Sequence, residues 1–205
     1  AVSVSTATAN AASSASRGSS KARMGVIGAG PIGLELAQAF QRFGSQVTVF
    51  SRSDKIMPKE DQEATKIVEN SLRSDGVTFS YNVNFKGVEC RDGKPPVSMF
   101  IEDDMGERAL EFDALLVATG RKPTVKGLGL EDAAIEYDER LGIKVTDRMQ
   151  TTNPNVYAIG DVASKYQFTH MSDFGARLVI RNALFLGRDK FSNFIIPWAT
   201  YTEPE

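Results

Sequence analysis

Hydrophobic residues follow two different periods in the first quarter of the chain. Residues 24–27 form a short apolar run of strand length, and residues 34–40 place apolar side chains at helical spacing. A second apolar run, Gln46–Phe50, follows Gly44 and also has strand character. A strand, a turn, a helix and a second strand within about 30 residues are typical of a parallel β-α-β unit.

The same two periods predict the remaining elements. In chain order these are a helix over residues 61–74 with one mixed face that includes Ile67 and Leu72, a strand over 77–81, a small antiparallel meander between 85 and 106 with a turn at Asp92-Gly93, a buried strand over 113–118, short strands over 143–145 and 156–159, and an amphipathic helix over 173–185.

Three glycines lie in the turn between the first strand and the first helix. Gly28 permits a tight turn, Gly30 allows a pyrophosphate to approach the backbone, and Gly33 allows the helix to lie close to the strand. Free N–H groups at the helix start then face the phosphates. The fold class is therefore α/β, a Rossmann-type parallel sheet with an antiparallel meander insertion. The expected nucleotide-binding residues are Gly28, Ala29, Gly30, Pro31, Ile32, Gly33, Leu34 and Glu35.

The end of the second strand indicates which nucleotide binds. A site specific for NAD usually has an acidic residue there to hold the ribose 2′-hydroxyl, but this chain has Ser51 followed by Arg52 and Lys55. A hydroxyl and two cations suit a 2′-phosphate, which a guanidinium binds with two hydrogen bonds. The pattern favours NADPH over NADH, although the two cations also fit an ordinary solvated loop.

Length and composition limit the function classes. The chain has 205 residues, enough for one large or two small domains, and a net charge of −2 that gives no basic surface for nucleic acid. No apolar run is long enough to span a membrane, and no metal site is predicted. Cys90 and His170 are the only cysteine and the only histidine, which excludes an internal disulfide and a Cys-x-x-Cys redox pair.

Residues 1–22 differ in composition from the rest of the chain. Residues 1–20 contain seven Ser and six Ala with little periodicity, so we expect residues 1–22 to be disordered. The segment resembles the mature end of an organelle transit region, but a flexible linker or a sequence artefact fits equally well. We expect a soluble protein of the cytoplasm or of an organelle such as the chloroplast. Because the chain begins at Ala1, we expect a fragment or a processed product.

Three motifs in order along the chain resemble those of class I pyridine nucleotide–disulfide oxidoreductases, the group of glutathione reductase, dihydrolipoamide dehydrogenase and mercuric reductase. They are GAGPIGLE at residues 28–35, ATGRKP at 118–123 and TTNPNVYAIGD at 151–161. The ending at residues 196–205 is most similar to the mercuric reductase-like branch. The resemblance implies an NAD(P)-binding domain over 23–117, the second segment of a FAD-binding domain over 118–198, and the start of a truncated dimerisation domain over 199–205.

The resemblance also implies roles for individual residues. Glu35 matches a glutamate near the nicotinamide and the flavin, and Phe85 matches a residue that flanks the adenosine. Gly120 matches a glycine close to the cofactor. Asp161 matches the acid that binds the ribityl chain of the flavin, since a carboxylate accepts well from hydroxyl groups. The helix start beneath the flavin ring is matched by Gln167, Phe168, Thr169 and His170.

The function implied by the resemblance is hydride transfer from NADPH to FAD, and from there electron transfer to a disulfide or metal-ion acceptor, in a homodimer. The chain lacks the first FAD-binding glycine-rich unit and the redox cysteine pair of that family. We therefore expect a fragment that is inactive alone and has no catalytic residues of its own. Cys90 is expected to be a small buried residue, and His170 to lie beside the flavin rather than to act as a base.

Two other functions fit parts of the pattern. The alternative is a stand-alone, non-catalytic NADP-binding module, but Asp161 and the helix from Asp173 favour the flavoprotein fragment. A third is an oxidoreductase of the same superfamily that uses no dithiol, against which the ending at residues 196–205 argues.

Overall fold

The computed structural model describes residues 3–4, 21–90, 93 and 95–205. Most of the predicted disordered segment, and Asp92 of the predicted turn, lie outside the described residues. The exceptions at the N-terminus include Ser3–Val4, which form a short strand. The described residues fall into two compact units: one runs up to Gly120 and includes Ala199–Glu205, and the other is Arg121–Trp198. The predicted domain boundaries stay predictions.

The first unit is built on a five-stranded sheet and a separate three-stranded sheet, in the order β1-β8-β2-β3-β4 and β5-β6-β7. Its elements are β1 (Ser3–Val4), β2 (Arg23–Ile27), α1 (Pro31–Arg42), β3 (Gln46–Phe50), α2 (Gln62–Ser74), β4 (Thr78–Ser80), β5 (Asn84–Cys90), β6 (Val97–Asp103), β7 (Gly106–Phe112) and β8 (Ala114–Val117). Strands β8, β2, β3 and β4 are parallel, and β1 pairs antiparallel with β8. The predicted β-α-β unit is confirmed.

Helices α1 and α2 contribute to a core on one face of the large sheet. Alternate strand residues Val26, Val49 and Leu116 are fully buried there, together with Leu34 of α1 and Leu72 of α2. The Asp61 carboxylate caps α2 by accepting hydrogen bonds from the N–H groups at its start. Because strands of a parallel sheet are covered on both faces, their sequences are apolar at nearly every position.

The prediction for one face of α2 is wrong at Ile67. Thr65, Val68 and Leu72 are buried, whereas Ile67 is 58% exposed. At 100° per residue, Ile67 lies about 200° from Thr65 around the helix and therefore points away from the core.

The antiparallel meander forms the second core. Strands β5, β6 and β7 pair in sequence order, and their side chains pack with the other alternate residues of the large sheet, Ile27, Phe50 and Leu115. Cys90 ends β5 and is exposed, so the expectation of a buried cysteine is wrong. Its strand is at the edge of the three-stranded sheet, and all five of its residues after Phe85 are exposed.

One carboxylate anchors the β6–β7 hairpin. The Asp103 side chain is only 4% exposed, pairs with the Arg108 guanidinium and accepts a hydrogen bond from the Met105 N–H at 3.0 Å. The Ser80 hydroxyl of β4 also donates to it at 3.4 Å. Burial opposes ionisation of Asp103, but these donors outweigh burial and lower the pKa of its carboxyl group. The hairpin is therefore tied electrostatically to the large sheet.

The second unit has little regular structure besides one long helix. Its elements are β9 (Tyr137–Asp138), β10 (Gly142–Ile143) and α3 (Thr169–Leu184), with short 3-10 turns at Gly160–Val162 and Phe191–Asn193. The predicted strand over 156–159 is wrong, because only Tyr157 forms a bridge, to Gln150. Helix α3 starts four residues before the predicted boundary, since Thr169 follows the extended residue Phe168.

Substitution of a core residue of α2 tests the assignment of its faces. Leu72→Ala should lower the free energy of unfolding by about 2–5 kcal/mol, because it leaves a cavity between α2 and the sheet. Ile67→Ala on the same helix should change it by no more than about 0.5 kcal/mol. Urea titration followed by far-UV circular dichroism measures both, and equal losses would contradict the assignment.

The stability of the first unit should depend on Asp103 in acid. Because the folded state lowers the pKa of this carboxyl group, its contribution is present above the ordinary aspartate pKa of about 3.9 and is lost as the pH falls through the lower folded value. Asp103→Asn should therefore weaken the chain at pH 7 and flatten the decline below about pH 4. Urea midpoints at pH 7, 4 and 3 measure this, with exposed Asp104→Asn as the control. A slope unchanged by Asp103→Asn would refute the anchor.

Candidate functional site

The carboxyl ends of the parallel strands meet at one edge of the large sheet. Strand β2 ends at Ile27 and is followed by Gly28, β3 ends at Phe50 and is followed by Ser51, and β8 lies on the other side of β2. From β2 the chain passes through α1 to β3 on one side of β2, whereas β8, which comes later in the chain, lies on the other side. The direction in which strands are added to the sheet therefore changes between β2 and β8. Such a reversal is where open α/β sheets bind ligands.

The three glycines of the turn have three different surroundings. A Cβ atom on Gly28, whose φ is +112°, would lie 2.5 Å from the Ala118 carbonyl oxygen after β8. A Cβ atom on Gly33 would lie 2.1 Å from the Gly28 carbonyl oxygen. A Cβ atom on Gly30 would meet nothing within 4 Å. Gly28 and Gly33 thus permit close backbone packing, whereas Gly30 borders open space.

The N-terminus of α1 faces that open space without a side-chain cap. The N-cap residue is Gly30, which has no side chain to cap the helix. Pro31 has no N–H group, and no acidic residue lies in the first turn. The Leu34 N–H is bonded to the Gly30 carbonyl, and the N–H groups of Ile32 and Gly33 belong to the first turn, where a helix provides no acceptor for them. Unsatisfied N–H groups and the helix dipole together attract an anion.

The other predicted residues of this stretch have different surroundings. The side chains of Ala29 and Leu34 are buried in the core, so only their backbones can contact a ligand. Glu35 is half-buried, and one of its carboxylate oxygens accepts a hydrogen bond from the Tyr201 N–H at 3.0 Å. No local sequence pattern indicates this contact, because the two residues are 166 positions apart.

The loop after β3 folds back over the glycine-rich turn. The Met57 N–H donates to the Ala29 carbonyl at 2.9 Å. Ser51 is buried, and its hydroxyl accepts from the Ser53 N–H at 3.1 Å. Arg52 is exposed, Lys55 is half-buried, and within the described part of the chain neither has an ion-pair partner. The two cations are thus available at the same sheet edge as the glycine-rich turn.

Phe85 and Gly120 lie at the borders of this region. Phe85 is half-buried in β5 and packs against the core of the meander. Phe85 lies two residues after Val83, whose N–H donates to the Ser51 carbonyl at 2.9 Å. The residue just before β5 is therefore hydrogen-bonded to the first residue of the loop after β3. Gly120 is exposed and has a φ of +115°. It is the last residue of the first unit before the chain enters the second unit.

The remaining predicted residues come together in the second unit. Asp161 lies in the short turn Gly160–Val162, is exposed and faces the Arg121 guanidinium at 3.4 Å. A Cβ atom on Gly160 would lie 2.8 Å from the Ser172 hydroxyl oxygen of α3, which shows how closely this turn approaches the helix. The acid and the start of α3 are therefore neighbours.

Aromatic rings surround the start of α3. Phe168 stacks on His170 with ring centroids 5.4 Å apart and on Trp198 at 6.3 Å. Thr169 and His170 are exposed, and Gln167 is half-buried. These side chains can present a flat, partly apolar surface beside a carboxylate, but their roles stay predictions.

The described residues contain neither a membrane-spanning helix nor a cluster of metal-binding side chains. None of the helices there is long and apolar enough to cross a membrane. No group of three or more His, Cys, Asp and Glu side chains in the same residues could hold a metal ion.

Curated relatives of the chain are oxidoreductases. Mercuric reductase of Staphylococcus aureus is 35% identical over 182 residues, which are 89% of this chain and 33% of that protein. Dihydrolipoyl dehydrogenase of Thermus scotoductus is 35% identical over 183 residues, 89% of this chain and 39% of that protein. The chain thus spans between a third and two fifths of the length of these relatives.

Solved structures show the same fold. The HOCl-induced flavoprotein disulfide reductase of Escherichia coli superposes with a TM-score of 0.80 at 30% identity, covering 89% of this chain and 41% of that one. An NAD-dependent persulfide reductase of A. fulgidus has a TM-score of 0.73 at 27% identity, covering 89% and 34%. These likenesses confirm the predicted fold class.

The family model described as pyridine nucleotide-disulphide oxidoreductase matches residues 3–175. That range includes the three motifs at residues 28–35, 118–123 and 151–161 on which the resemblance rested. Because the match extends over well more than half of the sequence, the chain belongs to the pyridine nucleotide-disulphide oxidoreductase family.

Proposed function

We propose that this chain binds NADPH and contributes part of a FAD site in an oxidoreductase that passes electrons from NADPH through FAD to a disulfide or metal-ion acceptor. The observation that carries the proposal is the glycine-rich turn at the sheet edge. There Gly28 and Gly33 are enclosed by backbone, whereas Gly30 borders open space. This arrangement leaves room for a pyrophosphate against the N-terminus of α1.

The cations after β3 support NADPH over NADH. Arg52 and Lys55 lie in the loop that the Met57 N–H ties to Ala29 of the glycine-rich turn. A guanidinium can bind the 2′-phosphate through two parallel hydrogen bonds, and Lys55 adds a second positive charge. The absence of an acidic side chain at the end of β3 removes a group that would repel this phosphate.

The second unit supplies residues that fit a flavin. Asp161 presents an exposed carboxylate, which accepts hydrogen bonds from sugar-like hydroxyl groups. Phe168 and His170 offer stacked rings at the start of α3. When bound, the two cofactors supply the hydride donor and the electron acceptor, and the residues of the chain bind and orient them.

The acceptor chemistry lies outside the residues of this chain. The sequence contains one cysteine, so it provides no dithiol of its own. The Staphylococcus aureus relative is named a mercuric reductase and the Escherichia coli structure a disulfide reductase, which supports either acceptor class.

We also propose a homodimeric enzyme, in keeping with the dimerisation domain implied from residue 199 onwards. The relatives named above give no support to the stand-alone binding module.

A pair of glycine variants tests the role of the turn. Gly33→Ala should lower the melting temperature by about 5–10 °C, because the added methyl group collides with the Gly28 carbonyl. Gly30→Ala should cost at most about 1 kcal/mol of stability yet weaken NADPH binding at least tenfold, since its methyl group enters the space reserved for the pyrophosphate. Thermal melting and isothermal titration measure the two effects. Unchanged NADPH binding by Gly30→Ala would contradict the proposed site.

Removal of the Arg52 charge tests the cofactor preference. Arg52→Gln should weaken NADPH binding by roughly 10–100-fold and leave NADH binding within about twofold, because only NADPH carries the 2′-phosphate. Lys66→Gln removes an equal charge from an exposed position of α2 and should affect neither. Isothermal titration of each protein with NADPH and NADH gives the comparison. Wild-type protein that binds both nucleotides equally would refute the preference, and failure to bind either would refute the proposed function.

A further inference from the structure

The last seven residues of the chain lie along the nucleotide-binding unit. Ala199–Glu205, called the terminal segment below, belongs to the first compact unit although the preceding residues form the second. Thr202 at its centre is 6% exposed, while Tyr201 on its outer side is 74% exposed. The segment is therefore seated against the unit along one side.

Gln38 of α1 holds this segment through its side-chain amide. The Gln38 Nε2 donates to the Glu203 carbonyl at 2.9 Å, and the Glu203 N–H donates to the Gln38 Oε1 at 2.8 Å. The same Nε2 donates to the Asp75 carboxylate at 2.8 Å. Gln38 is 3% exposed, and a buried amide is tolerated only when its hydrogen bonds are made. Its partners here include both backbone groups of Glu203.

The partners of Gln38 are themselves held in place. Asp75 forms an ion pair with Arg42 at 2.8 Å. Burial opposes ionisation of Asp75, but hydrogen bonds from Gln38 and Arg42 outweigh burial and lower its pKa. The Ser71 hydroxyl of α2 donates a second hydrogen bond to the Glu203 carbonyl. Glu203 is thus fixed between the two helices.

The other end of the segment reaches the proposed nucleotide site. The Tyr201 N–H donates to the Glu35 carboxylate at 3.0 Å. The Thr200 hydroxyl lies 3.7 Å from the Met57 sulfur, and Met57 is the residue whose N–H closes the loop onto Ala29. The terminal segment therefore contacts both Glu35 and the loop that covers the glycine-rich turn.

We infer that the terminal segment positions the nicotinamide-side groups of the nucleotide site and that Gln38 is the positioning residue that holds it there; this inference rests on the proposed function. Loss of the Gln38 pairing releases Glu203 and, with it, the Tyr201 N–H that orients Glu35. The adenosine side depends on Ser51 and Arg52. The segment contacts their loop at Met57, but within the described residues no hydrogen bond or ion pair joins it to Ser51 or Arg52. Binding of the two halves of NADPH should therefore respond differently.

The test compares NADPH with adenosine 2′,5′-bisphosphate, which carries the 2′-phosphate but no nicotinamide. In the full chain, Gln38→Met keeps the side-chain length and removes all three hydrogen bonds. It should weaken NADPH binding by about 5–10-fold and leave binding of the bisphosphate within about twofold in isothermal titration. Hydrogen exchange of the peptide that contains Tyr201 and Glu203 should accelerate in the same variant.

A matched control and a milder variant keep the result interpretable. Gln41 lies on the same helix and accepts a hydrogen bond from the Val47 N–H at 2.9 Å, away from the terminal segment. Gln41→Met should leave both affinities unchanged. Ser71→Ala removes only the second hydrogen bond to Glu203, and alanine is compatible with the helix at this position. It should weaken NADPH binding about twofold.

The possible outcomes separate the inference from the proposed function. Wild-type protein that fails to bind NADPH would refute the proposed function. Wild-type binding with unchanged NADPH affinity in Gln38→Met and Ser71→Ala would overturn the inference alone. Equal weakening of NADPH and the bisphosphate would also overturn it, because general destabilisation does not distinguish the two halves of the nucleotide.

Discussion

The close backbone approach at the glycine-rich turn is the constraint on which the first unit depends. Helix α1 begins so near the end of β2 that a Cβ atom on Gly33 would lie 2.1 Å from the Gly28 carbonyl oxygen. Gly28 is in turn pressed against the Ala118 carbonyl after β8. These two contacts place the helix start beside the ends of two strands, β2 and β8. Gly30 at the N-cap of the helix borders open space, so a ligand can approach the first-turn N–H groups from that side.

This constraint leaves the two faces of the sheet to be covered by different means. The helices cover the face of Val26, Val49 and Leu116, and the meander covers that of Ile27 and Phe50. The connection from β4 to β8 runs through three antiparallel strands instead of a crossover helix. Its hairpin is held by an ion pair between the buried Asp103 carboxylate and the Arg108 guanidinium, and not by apolar packing alone.

Local patterns predicted what local physics determines. The bounds of β3 and α2 follow closely from periodicity and from the glycine after α2. Helix α1 was predicted from residues 34–40 but spans Pro31–Arg42, so it extends beyond the predicted run at both ends. Residues 156–159 are apolar enough for a strand, yet only Tyr157 finds a bridge partner, which no local pattern specifies. The link between Gln38 and Glu203 joins residues 165 positions apart through one side chain and a backbone. The only local feature related to this link is Gln38 itself, a polar residue on the buried face of α1.

The structure also changes how the cofactor preference is best explained. The Ser51 hydroxyl accepts from the Ser53 N–H and lies 3.5 Å from the Lys55 carbonyl, so it mainly stabilises the loop after β3. A hydroxyl committed to its own loop is a weak ligand for a phosphate, which leaves the charge of the loop as the discriminating feature. Arg52 is exposed and has no ion-pair partner among the described residues, so it needs to break no internal contact to bind. If this chain prefers a 2′-phosphate as proposed, the preference should weaken as salt screens the exposed charge of Arg52.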